Sequence, residues 1–146
     1  MRHSLIQCVR LLAVGCLVLA SACLKSTEPQ PSLIHLNGTW HYTGEQTLPV
    51  REVLDGTLTI KRESGTSFQG ELNLVGLNSQ TQQQRPLNGL VSGSEIGTDV
   101  IDFDADLETN LRRHVGQIVA DTITGTWISS NGTMASGTFR LERETQ

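Results

Sequence analysis

Residues 37–40 read NGTW, and residues 124–127 read TGTW. The same skeleton, a glycine, any residue, then a large apolar one, recurs at Gly56-Thr57-Leu58, Gly70-Glu71-Leu72, Gly89-Leu90-Val91, Gly116-Gln117-Ile118 and Gly137-Thr138-Phe139. In an extended strand, residues two apart lie on one face. Each glycine therefore shares a face with the large side chain after it. In a closed or strongly coiled sheet such a glycine lets the strand bend and makes room for a neighbouring ring. The surrounding sequence alternates in the same way, as in TLTIK, FQGELNL, VIDFDADL and GTFRLER. From residue 37 onward no stretch holds a 3.6-residue apolar period. Alternation with glycine-bearing turns predicts antiparallel strands with one buried face.

Eight strands are expected, near 38–43, 53–62, 66–75, 86–94, 98–107, 113–119, 122–129 and 133–143. They form an all-β, eight-stranded, antiparallel up-and-down barrel, or a flattened β-sandwich with the same alternation. Putting each Gly-x-apolar pair inward asks for three-residue loops at 63–65, 95–97 and 130–132, each ending in glycine. That is a type I turn followed by a left-handed residue. The same phase points Trp40, Tyr42, Phe68, Phe103, Trp127 and Phe139 inward. A one-residue slip at 130–132 would turn Phe139 to solvent.

The first 22 residues read as an export signal. Arg2 and Arg10 flank a polar start, LLAVGCLVLA supplies ten apolar or small residues, and SAC follows. The apolar run is shorter than the about 20 residues a transmembrane helix needs. Ala20-Ser21-Ala22 fits cleavage by ordinary signal peptidase. LASAC also resembles a bacterial lipobox, in which Cys23 becomes the lipid-modified first residue. Cys8 and Cys16 lie in the removed segment, so Cys23 is left as a lone thiol that acylation would use. The expected organisation is a lipoprotein signal peptide at 1–22, a lipid-anchored tether at 23–36 and a β-barrel domain at 37–146. Leu24 is not the aspartate that retains such proteins at the inner membrane, so the resemblance implies the outer membrane. The alternative is a secreted or periplasmic protein.

Removing residues 1–22 removes two of the 11 basic residues and no acid, leaving nine against 15, a net charge of −6. No basic stripe is present to neutralise phosphates, so nucleic acid is not an expected partner. No Gly-x-Ser-x-Gly, His-Glu-x-x-His or Cys-x-x-Cys occurs, and no glycine-rich phosphate loop. No pair stands out as general acid and base, and the chain is not expected to be an enzyme or to hold a cofactor. Asp102, Asp104 and Asp106 imitate the start of a calcium loop. Leu107 stands where that loop needs glycine, and Arg113 where it needs a bidentate acid. Their spacing suits the wet face of a strand. His35, His41 and His114 are scattered, and no metal site is expected.

In an up-and-down meander the connections alternate between ends. The tight ones, 63–65, 95–97 and about 119–122, form a floor. The longer ones, 44–52, 77–85 and 107–112, form a mouth with 130–132. The tether enters at the floor, which predicts a mouth facing away from the membrane. Inward positions toward the mouth are Tyr42, Leu74, Leu87, Leu107, His114 and Trp127. They are either packed core or the lining of an apolar ligand site.

The pattern is similar to that of the calycin superfamily, the lipocalins and avidins. Their barrels carry Gly-x-Trp on the first strand, with a basic residue from the last strand over the Trp face. Gly38-Thr39-Trp40 and Arg143 match those positions. The resemblance covers about 37–143, although the chain is short for a lipocalin and shows no flanking helix. It implies a structural Trp40–Arg143 pair and a small apolar ligand. A protein-binding envelope module or inhibitor acting through the mouth loops is the alternative, and a purely structural envelope protein a third reading. The membrane, through Cys23, is the other expected partner. Mass spectrometry of membrane-extracted protein should find acyl mass on Cys23 and none in Cys23→Ser. An unmodified Cys23, or an N-terminus elsewhere, would refute the anchor.

Overall fold

The computed structural model describes residues 36–107, 110–130 and 134–145, without the side chains of 62–64. The expected signal peptide, Cys23, His35 and most of the tether lie outside these residues. The strands are β1 (Gly38–Leu48), β2 (Glu52–Ser64), β3 (Ser67–Asn78), β4 (Gln84–Ile96), β5 (Val100–Leu107), β6 (Asn110–Val119), β7 (Thr122–Ser129) and β8 (Ser136–Arg143). Each pairs antiparallel with the next, and β8 returns to β1, with Trp40 opposite Arg143 and Gly44 opposite Phe139. The sheet is a closed barrel, so the flattened sandwich is excluded. Closure leaves no strand edge unpaired.

Alternation decides what faces in. Along β5, Ile101, Phe103, Ala105 and Leu107 are buried while Asp102, Asp104 and Asp106 face out. All six aromatic residues expected inside are buried. Leu36, placed by the sequence reading in the tether, is fully buried as well, and its carbonyl accepts a 2.9 Å bond from Trp40 Nε1. The barrel therefore begins before residue 37.

The hairpins differ from expectation in register. The β2–β3 hairpin turns at Gly65-Thr66, with an irregularity between Arg62 and Ser64, and Arg62 pairs with Phe68. Ile96 pairs with Val100, so the β4–β5 loop is 97–99 and not 95–97. Both shifts are by an even number of residues. They move the turns while leaving the described side chains along the ladders on their expected faces. Gly65 and Gly97 do adopt the left-handed backbone, at φ 56° and 71°. Residues 131–133 of the third loop lie outside the described ones, but Trp127 opposite Gly137 and a buried Phe139 show its phase.

The mouth is less loop-rich than expected. Leu107 pairs with Asn110, so the expected loop 107–112 is a tight connection, and Leu111 and Arg112 belong to β6. β1 and β2 reach Leu48 and Glu52 and shorten the first connection to 49–51. The longest connection described throughout joins β3 to β4. There Asn78 Oδ1 accepts bonds from the amides of Gln80 and Thr81, each at 2.9 Å.

The middle of the barrel is filled by rings. Phe103 stacks on His114 at 4.4 Å between centroids, Tyr42 on Phe139 at 5.9 Å, and Phe68 meets Phe103 edge-on at 6.3 Å. The inward glycines are where these rings fit. A methyl group at Gly116 would lie 2.8 Å from Phe139 Cζ, and one at Gly125 2.8 Å from Phe139 Cε1 and 2.6 Å from Gly116 Cα. At Gly137 it would lie 2.8 Å from the Trp127 ring. Glycine is packing here, and the space it leaves is occupied. Gly125→Ala should therefore destabilise the barrel by about 3 kcal/mol through overpacking. Gly65→Ala, with open space around it, should cost about 1 kcal/mol from its left-handed backbone alone. Urea unfolding of the two variants reads the difference, and equal losses would contradict this packing account.

Candidate functional site

Each Gly-Thr-Trp carries an arginine. At the floor the Arg143 guanidinium lies 4.3 Å from the centroid of the Trp40 ring. At the mouth end the Arg112 guanidinium lies 4.1 Å from that of Trp127. Both are cation–π stacks. The expected Trp40–Arg143 pair is present. Sequence reasoning misses the mouth pair, because it places Arg112 in a loop. A signal for it exists: Arg112 shares the phase of His114, Gly116 and Ile118. Starting β6 at residue 113 discards that signal, since an arginine interrupts an apolar face.

The two stacks differ in their surroundings. Arg143 is at the surface, with its Nε 3.1 Å from Asp121 Oδ1 and its Nη1 donating to the Asn37 carbonyl at 3.0 Å. Arg112 is only 1% exposed. It reaches across the interior from β6 to β1, where Nη2 donates to Gln46 Oε1 at 3.3 Å. Among the described residues its Nε and Nη1 are buried without a hydrogen-bond partner, as are Trp127 Nε1 and Asn110 Oδ1. All four atoms belong to the mouth half, on the start of β6 and the Trp of β7. Burial pushes the Arg112 pKa down. The nearby acid, Glu52, is engaged elsewhere: its Oε2 accepts from Arg85 Nη2 at 2.6 Å and its Oε1 from Arg85 Nε at 3.1 Å. Gln46 is itself held by a 2.9 Å bond from Nε2 to the Val50 carbonyl.

Beneath Arg112 lies a neutral polar pair. His114 Nδ1 is 3.2 Å from the Arg112 carbonyl, which can only accept, so Nδ1 carries the proton. Nε2 then accepts from the Tyr42 hydroxyl at 3.3 Å. Burial lowers the His114 pKa to about 3, with the Arg112 charge adding to the effect against the backbone bond. Burial also pushes the Tyr42 hydroxyl well up, so both rings are neutral across the working pH range.

The six sequence-derived lining residues are all buried, in two groups. Tyr42, His114 and Trp127 are brought together by ring contacts, with centroids 6.1 and 6.2 Å apart. Leu74 and Leu87 face each other across β3 and β4 nearer the rim, and Leu107 ends β5 at that rim. The ring group is continuous with the packed middle. The leucines, with Arg112 and Trp127, make the layer just under the mouth. Among the described residues no group of three or more His, Cys, Asp or Glu could hold a metal. Asp102 is paired with Arg113 at 2.6 Å on the outer face, and His41 with Asp55 at 3.1 Å.

No protein-family model and no curated protein matches the chain. Solved structures do. A barrel described as EF1p2_mFAP2b bound to DFHBI is 14% identical, with a TM-score of 0.63, covering 75% of this chain and 94% of its own. A redesigned β-barrel, mFAP1, bound to DFHBI, is 17% identical at a TM-score of 0.58, over 74% and 94%. A de novo designed fluorescence-activating β-barrel is 19% identical at 0.55, over 74% and 93%. At these identities the likeness is one of fold: this chain is a small, closed, eight-stranded antiparallel β-barrel.

The neutral His114 makes acid stability a readout of this layer. Unfolded histidine titrates near 6.5 and folded His114 near 3. Between these values the unfolded chain binds a proton that the folded chain does not, so stability is lost as pH falls from 6.5 toward 3. Urea unfolding should show a proton uptake that rises from about half a proton at pH 6.5 to nearly one at pH 5, and that His114→Gln removes. An unchanged slope in the variant would place another group behind the loss.

Proposed function

We propose that this protein is a lipid-anchored envelope barrel that binds a small apolar ligand under its mouth. The supporting observation is the set of unpartnered buried polar atoms on Asn110, Arg112 and Trp127. Buried polar groups in folded proteins are nearly always paired, and exceptions mark a ligand, a water or a catalytic use. These three residues lie together at one end, beside Leu74, Leu87 and Leu107. Apolar walls with a few convergent polar groups are the usual composition of a small-ligand site. Barrels of similar fold hold DFHBI, so the architecture can accommodate a small organic compound. Because rings fill the lower and middle barrel, binding occurs in the upper layer, with Trp127 as its base.

A second reading is favoured by one observation. Leu48, Val50 and Met134 are exposed at the same end, Met134 at 84%. Exposed apolar residues on the loops of one end suit capture of a protein partner in the envelope.

Native mass spectrometry of the protein extracted from membranes, with thermal-shift screening against small apolar compounds, separates the two. A bound compound whose affinity falls about tenfold or more in Trp127→Ala, with far- and near-ultraviolet circular dichroism retained, supports the first reading. An empty barrel that no compound stabilises overturns it and leaves the loop surface.

A further inference from the structure

We propose that the ligand of this barrel carries an anionic head, of carboxylate or sulfonate type, and that Arg112 and Trp127 Nε1 bind it. The inference rests on the ligand-binding reading and specifies its chemistry.

The floor of the barrel is an internal comparison. There an arginine stacked on a tryptophan has a carboxylate, Asp121, at 3.1 Å, and a backbone carbonyl at 3.0 Å. The mouth repeats the stack without the anion. Arg112 is more deeply buried than Arg143, yet its hydrogen-bond acceptor among the described residues is a neutral amide at 3.3 Å. Glu52 acts on Arg112 only at a distance, and Arg85 forks onto both its oxygens and offsets it. Tyr42 does not supply it either, because its hydroxyl stays protonated and donates to His114. A fully buried cation with no carboxylate in hydrogen-bond contact carries a desolvation cost that an apolar residue of similar length, filling the same space, would not. The unpartnered groups on these two side chains also share a polarity: Arg112 Nε, Arg112 Nη1 and Trp127 Nε1 are all donors. A neutral hydrocarbon would leave them unpaired. A trapped water could accept from them but would not balance the charge. An anion does both.

Two fluorescent probes with nearly the same apolar body test this: 1-anilinonaphthalene-8-sulfonate, which is anionic, and N-phenyl-1-naphthylamine, which is neutral. Titrated into the full chain, the sulfonate should bind about tenfold or more tightly than the amine, as expected for hydrogen bonds to a charged group. Arg112→Met should abolish that preference and retain the amine. Trp127→Phe, which removes one donor and keeps a ring, should weaken the sulfonate severalfold. Near-ultraviolet circular dichroism checks that each variant is folded. If Arg112→Met does not fold, Arg112→Lys serves instead, and severalfold weaker sulfonate binding is expected from loss of the planar donor set. Equal affinities in the wild-type chain, or a preference that survives in the Arg112 and Trp127 variants, overturns the anionic head while the apolar-ligand reading stands. Binding of neither probe to the wild-type chain overturns both.

Discussion

Closure of the sheet is the constraint on which the rest depends. Once β8 pairs with β1, every inward side chain competes for one narrow interior, and no residue can relieve crowding by moving a strand outward. Glycine and ring must then alternate in three dimensions. The positions around Phe139 show this, with Gly116 and Gly125 both lying where its ring passes. The aromatic content of the chain is low, with two Trp, one Tyr and three Phe in the whole sequence. All six are spent on the interior, supported by the stacked imidazole of His114.

The recurrence of Gly-Thr-Trp follows from the same geometry. Each tryptophan lies toward one end of the barrel and is faced by an arginine from an adjacent strand. At the floor, Gly38 takes a backbone φ of 126° that a side chain would strain, while a methyl group there would meet Arg143 Nη1 in ordinary contact at 3.5 Å. The stacks close the two ends of the ring-filled middle. Their chemistry diverges because one guanidinium reaches solvent and an aspartate while the other is sealed in. At the floor the stack is completed by Asp121 and the Asn37 carbonyl.

The polar layer also orders the middle of the barrel. The Arg112 carbonyl sets the His114 tautomer, and that tautomer lets Tyr42 donate inward. A backbone group of the mouth layer is thereby linked to the orientation of the rings beneath it.

The sequence by itself determined the strand number, most of the inward set and the positions of the six rings, because a period of two is local and survives any even slip in pairing. It also marked Trp40 and Arg143, whose matching phases at the first and last strands needed only closure to meet. Tertiary structure decided closure over the sandwich, since alternation is identical in both. It decided the registers at Gly65 and Gly97, because hydrogen bonding along a ladder is gained across the barrel and turn chemistry constrains only a few residues. It decided the surroundings of Arg112 too. Arg112 reads in sequence as one more polar residue near a turn. Only the crossing from β6 to Gln46 on β1, 66 residues away in the chain, shows a cation that is buried, stacked and short of partners. Burial and the lack of a matching charge are properties of everything around a residue, and that surrounding exists only once the sheet has closed.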